Sequence, residues 1–192
     1  MASATIKVID NTCVTAFLKE ITSVKLFEKC GCFYKFVTSK AVSEECREYF
    51  KNETLILFQK NLSVKDLDNH PICKRCMDYL KARYPYLHNG EISSFLVALF
   101  LYHSKRERYY YITDDNKMRE VVSKLPQDNG FLQITGIKNF SDFKITGTIG
   151  LIKRFYFRKI ICEQEIEEII EDLKKSTFFI TPELIERLRS KS

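Results

Sequence analysis

The chain has 192 residues, of which 45% are hydrophobic and 29% charged, with a formal net charge of +6. That length is ample for a buried apolar core, while the longest apolar run, SSFLVALFLY from Ser93 to Tyr102, falls far short of the ~20 residues of a bilayer crossing. The basic excess suits a polyanionic partner without requiring one.

Seven cysteines, at positions 13, 30, 32, 46, 73, 76 and 162, are an odd number. The N-terminus MASATIKVIDN does not read as a signal peptide, so reduced thiols and a cytoplasmic protein with no membrane partner are expected. Neither a linker nor an internal repeat divides the sequence, which favours one domain over residues 1–192.

In chain order, TIKVID is a short apolar strand ending at Asp10, and NTCVTAFLKEI continues with helical spacing at Val14, Phe17, Leu18 and Ile21. CGCFYKFVTS is a second strand whose hydroxyl residues can cap the next helix, KAVSEECREYF. Residues 51–88 carry a less regular helical pattern and read as a helical insertion. GEISSFLVALFLYHSK is a strongly apolar helix, RYYYITDD a strand, and NKMREVVSKL a helix with Met118, Val121, Val122 and Leu125 on one face. After the motif KITGTIGLIKRFYF come C-terminal helices over about 163–190, the last starting at TPELIERL with Thr181 as cap. Strands alternating with helices predict an α/β fold, a mainly parallel central sheet sandwiched between helices.

In such a fold, sites form outside the carboxyl ends of the strands. Asp10 ends the first strand, Asp114 and Asp115 end the YYYIT strand, Glu45 lies in the helix after the second strand, and Glu91 begins the apolar helix. Converging carboxylates repel unless a cation joins them, and Mg²⁺ or Mn²⁺ is the hard, oxygen-seeking ion for that place. Two such ions can activate a water and stabilise the leaving oxygen of a phosphodiester. Each acid also has a plainer use: Asp10 as a helix cap, Glu45 on a solvated face, Glu91 at a helix dipole, and Asp114 and Asp115 in a capping turn. Spacing alone leaves both uses open. Successive strand side chains point to opposite sides, so one aspartate of the pair should face the cluster; Asp115 is the expected one and Asp114 the alternate.

The combination and order of these motifs resemble the PIN-domain nucleases, in particular small prokaryotic PIN proteins related to VapC-type toxins. VIDNTC is similar to the family's opening strand with its aspartate and a hydroxyl residue two positions on, here Asp10 and Thr12. SKAVSEEC is similar to the Glu-Glu segment, whose second glutamate is Glu45, and GEISSFLVAL to the Gly-Glu motif of the central helix, with Glu91. Ser93 stands where members often carry another glutamate. YITDDNKMR supplies Thr113, Asp114, Asp115 and Arg119, and ITGTIGLI resembles the turn that puts Thr146 and Thr148 near the site as hydroxyl donors. The resemblance implies a metal-dependent endoribonuclease, with Asp10, Glu45, Glu91 and Asp115 holding Mg²⁺ or Mn²⁺ and Asp114 as a further ligand or base. It also implies RNA, single-stranded, as substrate, with Thr12, Thr113 and Thr148 among its contacts, a small antitoxin protein as partner, and a homodimer. A PIN-like module that binds RNA or protein without strong catalysis is the alternative.

Other groupings compete. His70, Cys73 and Cys76 in HPICKRC, with Cys46 upstream, have metal-compatible spacing near that of zinc deaminases, and a structural zinc on Cys73, Cys76, Cys30 and Cys32 is a further arrangement. Against these, Cys73 and Cys76 fall one helical turn apart and suit simple packing. Lys74, Arg75, Lys81 and Arg83, interleaved with Tyr79, Tyr84 and Tyr86, form a basic and aromatic patch. Lys153, Arg154 and Arg158, after the ITGTIG turn, are expected phosphate contacts, whereas Lys105, Arg106 and Arg108 lie at the far end of their strand. His70, His88 and His103 belong to no nucleophile motif, which disfavours covalent catalysis.

Overall fold

The computed structural model describes residues 5–105 and 110–190. Arg106, Arg108 and Tyr109 lie outside them. At the centre are five strands, β1 (Thr5–Ile9), β2 (Tyr34–Ser39), β3 (Leu62–Lys65), β4 (Tyr111–Ile112) and β5 (Ile145–Thr146), in the order β3-β2-β1-β4-β5. Every neighbouring pair is parallel.

The apolar pattern of the strands follows from burial on both faces. Val8, Val37 and Tyr111 enter one core, and their chain neighbours Ile9, Phe36 and Ile112 enter the other. The first face is covered by α5 (Pro71–Arg83), α6 (Asn89–Lys105), α7 (Asn116–Lys124) and α8 (Asn129–Thr135). On the second face lie α1 (Asn11–Thr15) with the π-helical turn Ala16–Glu20 that extends it, α2 (Leu26–Cys30), α9 (Thr148–Phe157), α10 (Glu163–Lys175) and α11 (Pro182–Arg189). Buried residues of α3 (Lys40–Tyr49) and α4 (Asn52–Asn61) join that second core. Edge-to-face rings of Phe17, Phe27, Phe36 and Phe155 hold it together, with Phe27 and Phe36 centred 5.1 Å apart. Among the described residues no helix is long and apolar enough to cross a membrane.

Segment 51–88 departs from the expected helical insertion, because Leu62–Lys65 between α4 and α5 pairs with β2 and forms an edge of the sheet. Leu62 is buried while Val64 is 41% exposed, so this edge strand has a mixed pattern over four residues. That is too short for alternation to stand out from a helical background.

The cysteines separate in the same way. Cys13, Cys30 and Cys46 sit in one core and Cys73 and Cys76 in the other, with the sheet between. His70 caps α5, its Nδ1 accepting from the Cys73 backbone N–H at 3.4 Å. The thiols of Cys73 and Cys76 therefore act as small apolar groups, pushed up to about 11 and about 12 by burial. Neither the deaminase spacing nor a zinc shared with Cys30 and Cys32 is assembled. Excess EDTA should accordingly leave the helix content of the protein as purified unchanged by circular dichroism; a chelator-induced loss of helix would contradict this packing role.

Candidate active site

In the order β3-β2-β1-β4-β5 the connections leave β1 and β4 in opposite directions, so the crevice of this parallel sheet lies between their carboxyl ends. Asp10 follows β1 directly and Thr113 follows β4. The strand ladder runs on into these residues, Asp10 N donating to Ile112 O at 3.0 Å and Thr113 N to Thr146 O at 2.9 Å. A cleft of about 990 Å³ opens there, with Asp10, Glu45, Glu91 and Asp114 along its lining. These four acids come from four separate segments.

Asp10 is 2% exposed. Its Oδ1 accepts from the Asn11 N–H at 2.7 Å, which caps α1, and its Oδ2 accepts from the Thr113 hydroxyl at 2.9 Å. Burial nevertheless pushes its carboxyl up to about 6 against those two bonds, and the nearby charges of Glu91 and Glu45 add to the rise. Glu45 is half-buried on α3, which Ser39 caps through the Val42 N–H. Its Oε2 accepts from Asn11 Nδ2 at 3.2 Å, and its carboxylate rests against Gly90, where any side chain would collide with it.

Glu91 is in the first turn of α6, and its Oε2 accepts from the His88 backbone N–H at 3.0 Å. Burial raises its carboxyl, opposed by that bond, and the charges of Asp115 and Glu45 raise it further. The start of α6 is fixed by Ser93, which donates to Ser39 Oγ at 2.6 Å, and by Ser94, which donates to the Glu91 carbonyl. Tyr111 also donates to that carbonyl, at 3.2 Å.

The paired aspartates do different work. Asp114 lines the cleft and accepts from the backbone N–H and the hydroxyl of Thr148. Burial raises its carboxyl against those bonds and the nearby Arg119. Asp115 does not line the cleft; its Oδ1 caps α7 by accepting from the Met118 N–H at 2.5 Å. Its charge still reaches Glu91.

Of the expected substrate contacts, Thr12 lines the cleft. Thr113 and Thr148 are fully buried, outside the cleft lining, with their hydroxyls turned onto Asp10 and Asp114, whose carboxylates they orient. Lys153 and Arg154 also lie away from the cleft. Lys153 donates to Ser190 Oγ at 2.7 Å and stands over the Phe157 ring, while the charge of Arg154 is felt at Tyr34, at the start of β2. The cause is the helix rise of 1.5 Å per residue, which over five or six residues of α9 carries them roughly 8 Å from Thr148. Tyr86 is 46% exposed with Lys117 Nζ 5.9 Å from its ring centroid, while Arg83 is spent on Asp128.

Residues outside the expected set complete the cleft. Glu20 and Glu48 bring the lining acids to six, faced by His88 and the guanidinium groups of Arg119 and Arg187. Arg119 Nε donates to the Thr113 carbonyl at 2.9 Å. Its place in YITDDNKMR was the one signal in the sequence for a cleft cation. An all-oxygen donor set with this excess of negative charge fits a hard divalent cation. Among the described residues, no three His, Cys, Asp or Glu side chains are gathered closely enough to hold a metal.

A parallel α/β sheet with an acid-lined cleft at its switch point defines the class. A family model, DUF3368, described as a PIN domain, matches residues 6–192, and the chain belongs to that family. No curated protein and no solved structure matches it. PIN domains are generally nucleases and typically use divalent metal ions, so the fold carries a nuclease-like function.

Proposed function

We propose that the protein is a Mg²⁺- or Mn²⁺-dependent endoribonuclease that hydrolyses single-stranded RNA. The observation that carries this reading is that Asp10, Glu45, Glu91 and Asp114, from four separate segments, line one cleft at the switch point of the sheet. Asp10, Glu45 and Glu91 line one cleft without being gathered closely enough for an ion as they stand, so they would draw inward to hold the metal, with Asp114 or Asp115 as the fourth acid. A bound ion of this kind supplies an activated water and neutralises charge on the leaving oxygen.

The chain's own groups prepare the rest. The Asn11 N–H and the Thr113 hydroxyl hold Asp10 in one orientation, as Thr148 does for Asp114. With its carboxyl raised by burial, Asp114 is the group to take a proton from the attacking water. Arg119 and Arg187 hold phosphate oxygens above an otherwise repulsive floor. As the toxin of a toxin–antitoxin pair, the protein would meet a small inhibitor at this same cleft.

Separate charge removals test the assignment. With Mn²⁺ and unstructured RNA, Asp114→Asn is expected to lose at least about 10²-fold in kcat/KM, the scale of removing one organised polar group from a reacting centre. Asp115→Asn keeps an equivalent cap and should retain most activity. The reverse ranking would make Asp115 the fourth acid. Absence of cleavage by wild type with either metal, with RNA still bound, would leave a binding module in place of an enzyme.

A further inference from the structure

We infer that the wall of the cleft formed by the C-terminal segment is a nucleotide subsite, in which Phe179 stacks on an unpaired base of the RNA and Arg187 holds a neighbouring phosphate. This rests on the ribonuclease reading.

Phe179 is 82% exposed, yet it lines the same cleft as the carboxylates. The backbone around it is tied down on both sides. The Phe178 N–H donates to Ser176 Oγ at 3.0 Å, Thr177 donates to Glu20 Oε1 at 2.6 Å, and Thr181 caps α11 through the Leu184 N–H. Phe178 and Ile180, on either side, pack against the core. The fold thus anchors its neighbours inward and leaves one aromatic ring in water, at the rim of a polar cleft. A free aromatic face beside a cation is how proteins hold single-stranded nucleic acid, since every base offers a flat partner.

The cation is Arg187, which lines the cleft from α11 with Nη2 near Gly150 at the start of α9. Among the described residues it has no carboxylate partner, whereas Arg189, two positions on, is held by both oxygens of Glu167. Six acids line the cleft, so a polyanionic strand needs cations on the walls to approach at all. Arg187 meets that need on the same cleft as the ring.

The chain has no tryptophan, so Phe179→Trp places a single reporter in the subsite. In EDTA, where metal-dependent hydrolysis is off, its fluorescence is expected to be quenched by a short unstructured oligoribonucleotide and not by the same sequence as a duplex. Phe179→Ala should weaken oligonucleotide binding about tenfold by anisotropy, while Phe179→Tyr preserves it. Arg187→Ala should weaken binding and lower the salt slope by about 1. With metal present, the Phe179→Ala loss should fall on KM more than on kcat. Unchanged tryptophan emission while anisotropy reports bound RNA overturns the subsite, as does unaltered affinity in Phe179→Ala. Quenching by an apolar peptide and not by RNA overturns it in favour of a protein-docking wall. If the oligonucleotide binds at the subsite but wild type cleaves nothing, the ribonuclease reading fails and the subsite stands. Cleavage unaffected by Phe179→Ala removes the subsite and leaves the ribonuclease standing.

Discussion

Asp10→Asn is expected to lower RNA hydrolysis by at least about 10²-fold while leaving the protein as stable as wild type, or more stable, at pH 8. The two effects have one source. Asp10 is 2% exposed, and burial moves its carboxyl up to about 6. In the unfolded chain the same group releases its proton near 3.9. Between those values the native state holds more protons than the unfolded state, so stability falls as pH rises through the window and then levels off. The difference corresponds to about 3 kcal/mol, fully present as a cost above pH 7. Asparagine carries no charge to desolvate. It does present an amide N–H₂ to the Thr113 hydroxyl that now donates to Asp10, losing one hydrogen bond of about 1 kcal/mol.

The net expectation is therefore a gain on the order of 1–2 kcal/mol at pH 8 that disappears below pH 4. Urea unfolding of both proteins across pH 4–8 measures it. Parallel stability curves would show that Asp10 is not a desolvated carboxyl. Mn²⁺ binding requires ionised ligands and should stabilise wild type above pH 6 more than Asp10→Asn.

The sheet was legible in the sequence because TIKVI and YKFVTS are short apolar stretches, buried on both faces and bounded by capping residues. Asp10, Asp114 and Glu91 were legible for a related reason, since each follows a strand end or starts a helix, positions that a sequence pattern marks; Glu45, in the middle of α3, was marked only by the resemblance of SKAVSEEC. Direction was not. Thr113 and Thr148 fall where hydroxyl donors were expected, but whether a hydroxyl faces solvent or a neighbouring carboxylate depends on packing across elements. The same limit applied to Asp114 and Asp115. Strand alternation separates them, and the choice between cap and cleft comes from the Met118 N–H on one side and Thr148 on the other. Phe179 and Arg187 gave no local sign, since they reach the cleft only after the whole C-terminal region folds over α9. The strand Leu62–Lys65 was hidden by its length and by the lysines and helices around it.

Gly90→Ala tests whether the site depends on close approach as well as on charge. Gly90 is buried in the first turn of α6, and a Cβ there would lie 2.5 Å from Glu45 Oε1 and 2.8 Å from Oε2. Its backbone is ordinary helix, where alanine is favoured over glycine by about 1 kcal/mol. The colliding atoms are the far end of a side chain that can swing aside, so the fold should tolerate the change, with stability within about 1 kcal/mol of wild type. Glu45 would leave Asn11 Nδ2, now 3.2 Å away, and with it the place it holds beside Asp10. Misplacement of a reacting group by about 1 Å costs on the order of 10²-fold, and that loss in kcat/KM is expected here. Gly136 provides the converse. It ends α8 with φ 68°, a left-handed conformation that costs a non-glycine residue roughly 1–2 kcal/mol, and it lies outside the acid-lined cleft. Gly136→Ala should lower the melting temperature and keep the specific activity of the folded fraction. If Gly90→Ala is fully active, Glu45 does not work from its position against α6; if both variants lose activity only in proportion to unfolding, the cleft has no separate geometric requirement at Gly90.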